Sequence, residues 1–190
     1  DVCSSDLTGV LTDASIAFHV ARLIQEEGGK VVLTSFGRAL SLTERIAKRL
    51  PAPVEVLELD VTDQSHLQSI AERTKKVLGP HIDGVLHSIG FAPESALGGK
   101  FLETSWPDVA TALEVSAYSL KSLAMAFAES FDPSKGASVV GLDFDASVAW
   151  PKYDWMGVAK AALESTARYL ARDLGREKVR VNLVEIGRAH

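Results

Sequence analysis

The sequence predicts an α/β fold, a doubly wound parallel sheet in a single domain. Apolar strand-like runs alternate with helix-period segments from end to end, and Gly or Pro punctuates most changes of period. With 190 residues, 46% of them hydrophobic, the chain can bury one sizeable core. No repeat, low-complexity tract or linker divides it.

Taken in order, Ser15 is positioned to cap a helix in which Ile16, Val20, Leu23 and Ile24 line one side, and Gly28-Gly29 ends it. Lys30-Val31-Val32-Leu33-Thr34 follows as a strand. A short helix through Arg45-Ile46 stops at Pro51, where the missing N–H and the fixed φ cannot continue it. Val54-Glu55-Val56-Leu57-Glu58-Leu59 reads as the next strand. Asp63 is expected to cap a helix carrying Leu67, Ile70, Ala71, Val77 and Leu78, which Gly79-Pro80 breaks. Ile82-Asp83-Gly84-Val85-Leu86-His87 is a strand, and a long helix is expected over about 107–127. Ala137-Ser138-Val139-Val140-Gly141-Leu142 is the next strand, a helix holds Lys160, and Val179-Arg180-Val181-Asn182-Leu183-Val184 closes the series.

Composition excludes several classes. A formal net charge of -5 with both signs interspersed offers no basic stripe, which argues against nucleic acid as a partner. No apolar run approaches the ~20 residues that span a bilayer, so membrane insertion is not expected and a cytoplasmic protein is. His19, His66, His81 and His87 lack metal-ligand spacing, and no metal is expected. Ser88 sits in no G-x-S-x-G elbow, because position 86 is Leu86, and no G-x-x-x-x-G-K-[ST] loop occurs. Trp106, Trp150 and Trp155 read as packing anchors, with Trp150 also a candidate for lining a channel.

In such a sheet ligands bind beyond the carboxyl ends of the strands. Gly9 lies at the mouth of the first helix, where a small residue and free backbone N–H groups suit a pyrophosphate, although the third glycine of G-x-G-x-x-G is lacking. Ser15 reads equally as a simple helix cap. Asp60-Val61 follows the third expected strand, where Asp60 is able to accept hydrogen bonds from an adenine edge or to cap a helix. Ser88-Ile89-Gly90 follows the fourth, and a glycine there lets backbone approach a flat ring. Tyr153 and Lys160 stand seven apart; on a helix both project from one face about 10 Å apart along the axis. A phenol and an ammonium aimed into one cleft suit a carbonyl that gains negative charge as hydride arrives.

Several runs in the same order carry a specific resemblance: Thr12-Asp13-Ala14-Ser15-Ile16-Ala17-Phe18, Leu57-Glu58-Leu59-Asp60-Val61, His87-Ser88-Ile89-Gly90-Phe91, Gly141-Leu142-Asp143-Phe144-Asp145 and Tyr153-Asp154-Trp155-Met156-Gly157-Val158-Ala159-Lys160. They resemble the NADH-dependent enoyl-acyl-carrier-protein reductases, actinobacterial and mycobacterial in type, across essentially all of 8–184. The resemblance implies a Rossmann-like short-chain dehydrogenase/reductase fold and a homotetramer. It also implies NADH-dependent reduction of trans-2-enoyl thioesters, on acyl carrier protein or coenzyme A, in fatty acid biosynthesis. By the same resemblance Ser15 and Ile16 would lie by the pyrophosphate, Phe36 against the adenine, and Asp60 and Val61 at the adenine end. Ile89 and Gly90 would line the ribose and nicotinamide path, and Lys160 would bind the nicotinamide ribose. Tyr153 would face the thioester carbonyl, Phe144 would wall the reacting double bond, and Ala92 would contact substrate.

The termini depart from this pattern. Asp1-Val2-Cys3-Ser4-Ser5-Asp6-Leu7 and Glu185-Ile186-Gly187-Arg188-Ala189-His190 resemble translations of a common sequencing-adapter oligonucleotide read in its two directions. The domain is therefore expected over 8–184, truncated at both ends, with 1–7 and 185–190 non-native. On this reading Cys3, the only cysteine, falls outside the domain. The first strand is expected to be lost, the acyl pocket to be incomplete, and turnover of the chain as it stands to be negligible.

Two rival functions are open. A 3-oxoacyl or other carbonyl reductase of this fold would carry its tyrosine four residues before Lys160, where this chain has Met156. A non-catalytic dinucleotide-binding relative would keep the fold without turnover. NADH rather than NADPH is expected, because Phe36 follows Leu33-Thr34 as a stacking surface; Arg38 is the one nearby group suited to a 2'-phosphate.

Overall fold

The structure is a computed structural model and describes residues 3–187. Its strands are β1 (Ser4–Thr8), β2 (Lys30–Ser35), β3 (Glu55–Glu58), β4 (Gly84–His87), β5 (Ala137–Asp143) and β6 (Val179–Glu185). They form one parallel sheet in the order β3-β2-β1-β4-β5-β6. The helices are α1 (Ile16–Glu26), α2 (Arg38–Ala47), α3 (Gln64–Leu78), α4 (Trp106–Leu113), α5 (Ser119–Phe127) and α6 (Asp154–Leu174). This is the doubly wound arrangement expected from the sequence. Because parallel crossovers bury both faces of the sheet, adjacent strand residues feed two separate cores. Val32, Val85, Val139 and Val181 pack under α3, α5 and α6 with Ile70, Leu120, Leu123, Phe127 and Leu163. Leu7, Val31, Leu33, Leu86 and Leu142 pack on the other face under α1 and α2 with Ala17, Phe18, Ala21 and Ile46.

Two expectations are corrected. The first strand is present: Ser4–Thr8 runs through the middle of the sheet, paired with β2 on one side and β4 on the other, with all five residues buried. Ladder hydrogen bonds belong to the backbone, so a mostly polar segment is able to complete the sheet. The cost falls on its side chains. Asp6 is in register with Val32 and Val85, is fully buried, and neither carboxyl oxygen has a partner. The long helix expected over 107–127 is also divided. A π-helical turn, Glu114–Tyr118, separates α4 from α5 and inserts one wide turn that leaves the hydrophobic spacing readable as a single helix.

Candidate active site

The strand order reverses between β1 and β4, and in open parallel sheets ligands bind beyond the carboxyl ends at such a switch point. The Thr8 hydroxyl donates to the Leu86 carbonyl at 2.8 Å and accepts the Ser88 N–H at 2.9 Å, stitching the two strand ends together. Gly9 follows at φ 82°, and a Cβ there would stand 2.0 Å from the Ser88 carbonyl oxygen. Any larger residue would force β1 and β4 apart. Ser15 does not cap α1 through its side chain, as the sequence had suggested. Its hydroxyl instead accepts from the N–H groups of Leu11 and Thr12 at 3.3 and 3.0 Å, and the first amides of α1 have no side-chain cap. Ile16 is exposed at the same mouth.

The other strands end on the same side of the sheet. Phe36 stands directly after β2 with about half its surface open (48%). Asp60 follows β3, but the structure makes it an Asx turn rather than a helix cap. Its carboxylate accepts from the Thr62 N–H and hydroxyl at 2.9 and 2.7 Å, while its own N–H donates to His66 Nδ1 at 3.0 Å. The helix cap is Asp63, whose Oδ1 accepts from the N–H groups of Ser65 and His66. Val61 is buried behind Asp60. After β4, Ile89 packs on the core, Gly90 has open space where a side chain would stand, and Ala92 is half-buried.

Beyond β5 the chemistry-bearing groups gather. Lys160 reaches from α6 into the protein, buried, and donates from Nζ to the Leu142 carbonyl at 2.8 Å. Asp143, the last residue of β5, is buried with Oδ1 unpartnered. The Phe144 ring lies 4.6 Å from the Tyr153 ring, tilted by 47°, and meets Trp150 edge-on at 6.2 Å. Burial, reinforced by the Asp143 charge, pushes the Tyr153 phenol up to about 12, so it stays a neutral hydrogen-bond donor at physiological pH. Burial also lowers the Lys160 ammonium, and Asp143 opposes that shift. Asp143 is itself raised by burial, against the Phe144 N–H and Lys160. The pairing of Tyr153 with Lys160 differs from the expected helix face in one respect. Tyr153 occupies the N-cap position of α6, with Lys160 inside the helix, and Met156 turns into the core between them.

Four residues near these groups drew no functional reading from the sequence. They are Thr8, Asp143, His87 and Ser116. His87 is fully buried; its Nε2 lies 2.7 Å from the Ser119 hydroxyl, which itself donates to the Val115 carbonyl at 2.7 Å. The Ser119 hydroxyl has only one hydrogen, so His87 donates from Nε2 and leaves Nδ1 bare. Burial, and secondarily Lys160, push this imidazole down to about 3, and it remains neutral. Ser116, in the π-helical turn, exchanges hydrogen bonds of 2.8 Å with both the N–H and the carbonyl of Phe91, fixing the segment after β4. Sequence order signals none of these long-range pairings.

A dinucleotide fits this side of the sheet. Gly9 lets β1 and β4 close on one another at the switch point, the uncapped amides of α1 offer donors to a pyrophosphate, and Lys160 retains donors beyond its bond to Leu142. Among the described residues, no group of three His, Cys, Asp or Glu side chains is arranged to hold a metal ion.

A family model described as enoyl-(acyl carrier protein) reductase matches residues 9–189. The chain belongs to this family. It is similar to the enoyl-acyl-carrier-protein reductase of Mycolicibacterium smegmatis, named for NADH, at 48% identity over 184 residues, 95% of this chain and 67% of that protein. The Mycobacterium avium enoyl-acyl-carrier-protein reductase, also named for NADH, is 44% identical over 183 residues, again 95% and 67%. A more distant member, from Staphylococcus aureus and named for NADPH, is 36% identical over 183 residues, 95% of this chain and 71% of its own length. The enoyl-acyl-carrier-protein reductase family thus includes members named for either nicotinamide cofactor.

Proposed function

We propose that this domain reduces trans-2-enoyl thioesters, carried on acyl carrier protein or coenzyme A, with NADH as reductant in fatty acid biosynthesis. The observation that carries the reading is the grouping of Tyr153, Phe144, Lys160 and Asp143 at the end of β5, with a buried Met156 where a carbonyl reductase would need a tyrosine. When bound, NADH supplies a hydride to the enoyl chain. The protein does the rest. Ser15, Ile16 and Gly9 hold the pyrophosphate, Phe36, Asp60 and Val61 the adenine end, and Ser88, Ile89 and Gly90 the path toward the nicotinamide. Lys160 grips ribose hydroxyls through charge-assisted hydrogen bonds. The neutral Tyr153 phenol donates to the thioester carbonyl oxygen, where negative charge develops. Phe144 walls the reacting double bond, and Ala92 contacts substrate.

NADH oxidation by the domain, extended with the segments its relatives carry beyond it, tests this reading with crotonyl and acetoacetyl thioesters in turn. Consumption with the crotonyl substrate alone supports it. Consumption with the acetoacetyl substrate alone supports a carbonyl reductase, and NADH binding without consumption supports a non-catalytic relative. Run with NADPH, the same assay examines Arg38: higher catalytic efficiency with NADPH would overturn the cofactor assignment.

Exposed apolar residues on α4 to α6 (Trp106, Met125, Val158 and Tyr169) and Tyr118 in the π-helical turn support self-association, and a homotetramer is the assembly proposed. A cytoplasmic location is proposed with it; no helix among the described residues is long and apolar enough to cross a membrane. The domain is proposed to be 8–184, with 1–7 and 185–190 foreign to it. The unpartnered Asp6 carboxyl in the central strand supports that view, since a strand buried on both faces ordinarily carries continuous apolar residues.

A further inference from the structure

The turn that presents Tyr153 is held from outside its own helix. Lys152 and Asp154, on either side of the tyrosine, have φ of 64° and 45°, a left-handed conformation that non-glycine residues seldom adopt. Both are tied to one loop. The Gly98 N–H donates to the Lys152 carbonyl at 3.0 Å. The Gly99 and Lys100 N–H groups donate to Asp154 Oδ2 at 2.5 and 3.1 Å. Just beyond, the Trp155 ring stacks on Phe101 at 4.7 Å and 16°, and its Nε1 donates to the Phe101 carbonyl at 3.0 Å.

We propose that Asp154 is a positioning residue, whose carboxylate locks the 98–101 loop against the turn and thereby aims the Tyr153 phenol along the Phe144 ring. An aspartate in the first turn of a helix ordinarily serves that helix, yet no side chain caps α6 at its N-cap and the Asp154 carboxylate reaches the loop instead. Gly98 and Gly99 have φ of 83° and 92°, so the loop adopts a path open to glycine that turns successive amides toward one oxygen. With both neighbours of Tyr153 fixed in uncommon conformations, little backbone freedom is left to swing the ring away from Phe144. The catalytic consequence rests on the reading of Tyr153 as the donor to substrate. The clamp itself does not.

The test is NMR on the 190-residue chain, comparing it with Asp154→Ala and Asp154→Asn. In Asp154→Ala the Gly99 and Lys100 amides should exchange about tenfold faster or more, the effect of losing a charge-assisted hydrogen bond. The Tyr153 ring resonances should shift and lose their contact with Phe144, while amides in the middle of α6 keep their protection. Asp154→Asn retains a side-chain oxygen acceptor and should restore the Tyr153–Phe144 contact. Survival of that contact in Asp154→Ala overturns the proposal. So does equal loss of α6 protection in both variants, which would make Asp154 a helix stabiliser only. Failure of the functional reading is distinguishable: the extended domain would not consume NADH, while these resonances would still respond to Asp154.

Discussion

At the residue scale, the site separates a hydrogen-bond donor from an anchor. A phenol held neutral by burial and by Asp143 is suited to donating, and the buried Lys160 ammonium, fixed on the Leu142 carbonyl, is suited to holding hydroxyls. Lys160→Met in the extended domain should therefore weaken NADH binding by about tenfold or more, the loss expected for a charged hydrogen bond. Titration of NADH fluorescence checks it, and unchanged affinity would remove Lys160 from the cofactor site. Met156→Leu, nearly isosteric in the core, should leave turnover within about twofold and cost under about 1.5 kcal/mol of stability. Tyr153 and Lys160 stand out in the sequence by their seven-residue spacing, and Phe144 by the resemblance of the run that carries it; the structure brings the Phe144 and Tyr153 rings together. Asp143 and His87 do not stand out, because what distinguishes them is burial without a complete set of partners, which arises only when distant strands meet.

At the element scale, the π-helical turn between α4 and α5 does what a continuous helix would not. It brings the Ser116 hydroxyl to the backbone of Phe91 and leaves the Ser119 hydroxyl against His87. Ser116→Ala should therefore unpin the segment after β4 and destabilise the fold by about 0.5–1.5 kcal/mol, the net worth of a typical hydrogen bond. Faster hydrogen exchange at Phe91, with α5 still protected, is the expected signature. Strand and helix periods made most elements readable, and their ends shifted by only a few residues. The π turn escaped because a single wide turn barely disturbs a 3.6-residue apolar pattern. β1 escaped for another reason: the likeness of 1–7 to adapter-derived sequence set the segment aside, whereas its backbone, flanked by β2 and β4, completes the ladder.

At the scale of the whole molecule, two buried groups set opposing pH dependences. Burial raises Asp6 from 3.8 to about 8, so the folded state holds a proton that the unfolded chain has released, and stability falls as pH climbs between those values. His87 falls from 6.5 to about 3; the unfolded chain binds a proton that the folded state refuses, and stability rises with pH across that interval. From about pH 4 to 6.5 the two offset each other. Above 6.5 the Asp6 contribution is no longer offset by His87, and it should lower stability by up to about 1.4 kcal/mol per pH unit until about 8. Asp6→Val should abolish that alkaline decline and add about 1–3 kcal/mol at neutral pH, read from urea unfolding between pH 5 and 9. A decline that persists in Asp6→Val would place its source elsewhere. The parallel sheet and its switch point were legible from alternating periods alone; the foreign-looking strand at its centre was not, because only the assembled sheet shows what surrounds it. The proposed function turns on one claim, that Tyr153 is the donor to an enoyl thioester carbonyl. Its most direct test is turnover of crotonyl thioester with NADH by the extended domain and its Tyr153→Phe variant. Turnover should fall roughly 10 to 1,000-fold with NADH affinity unchanged, whereas full enoyl reduction by Tyr153→Phe would remove the phenol from the chemistry.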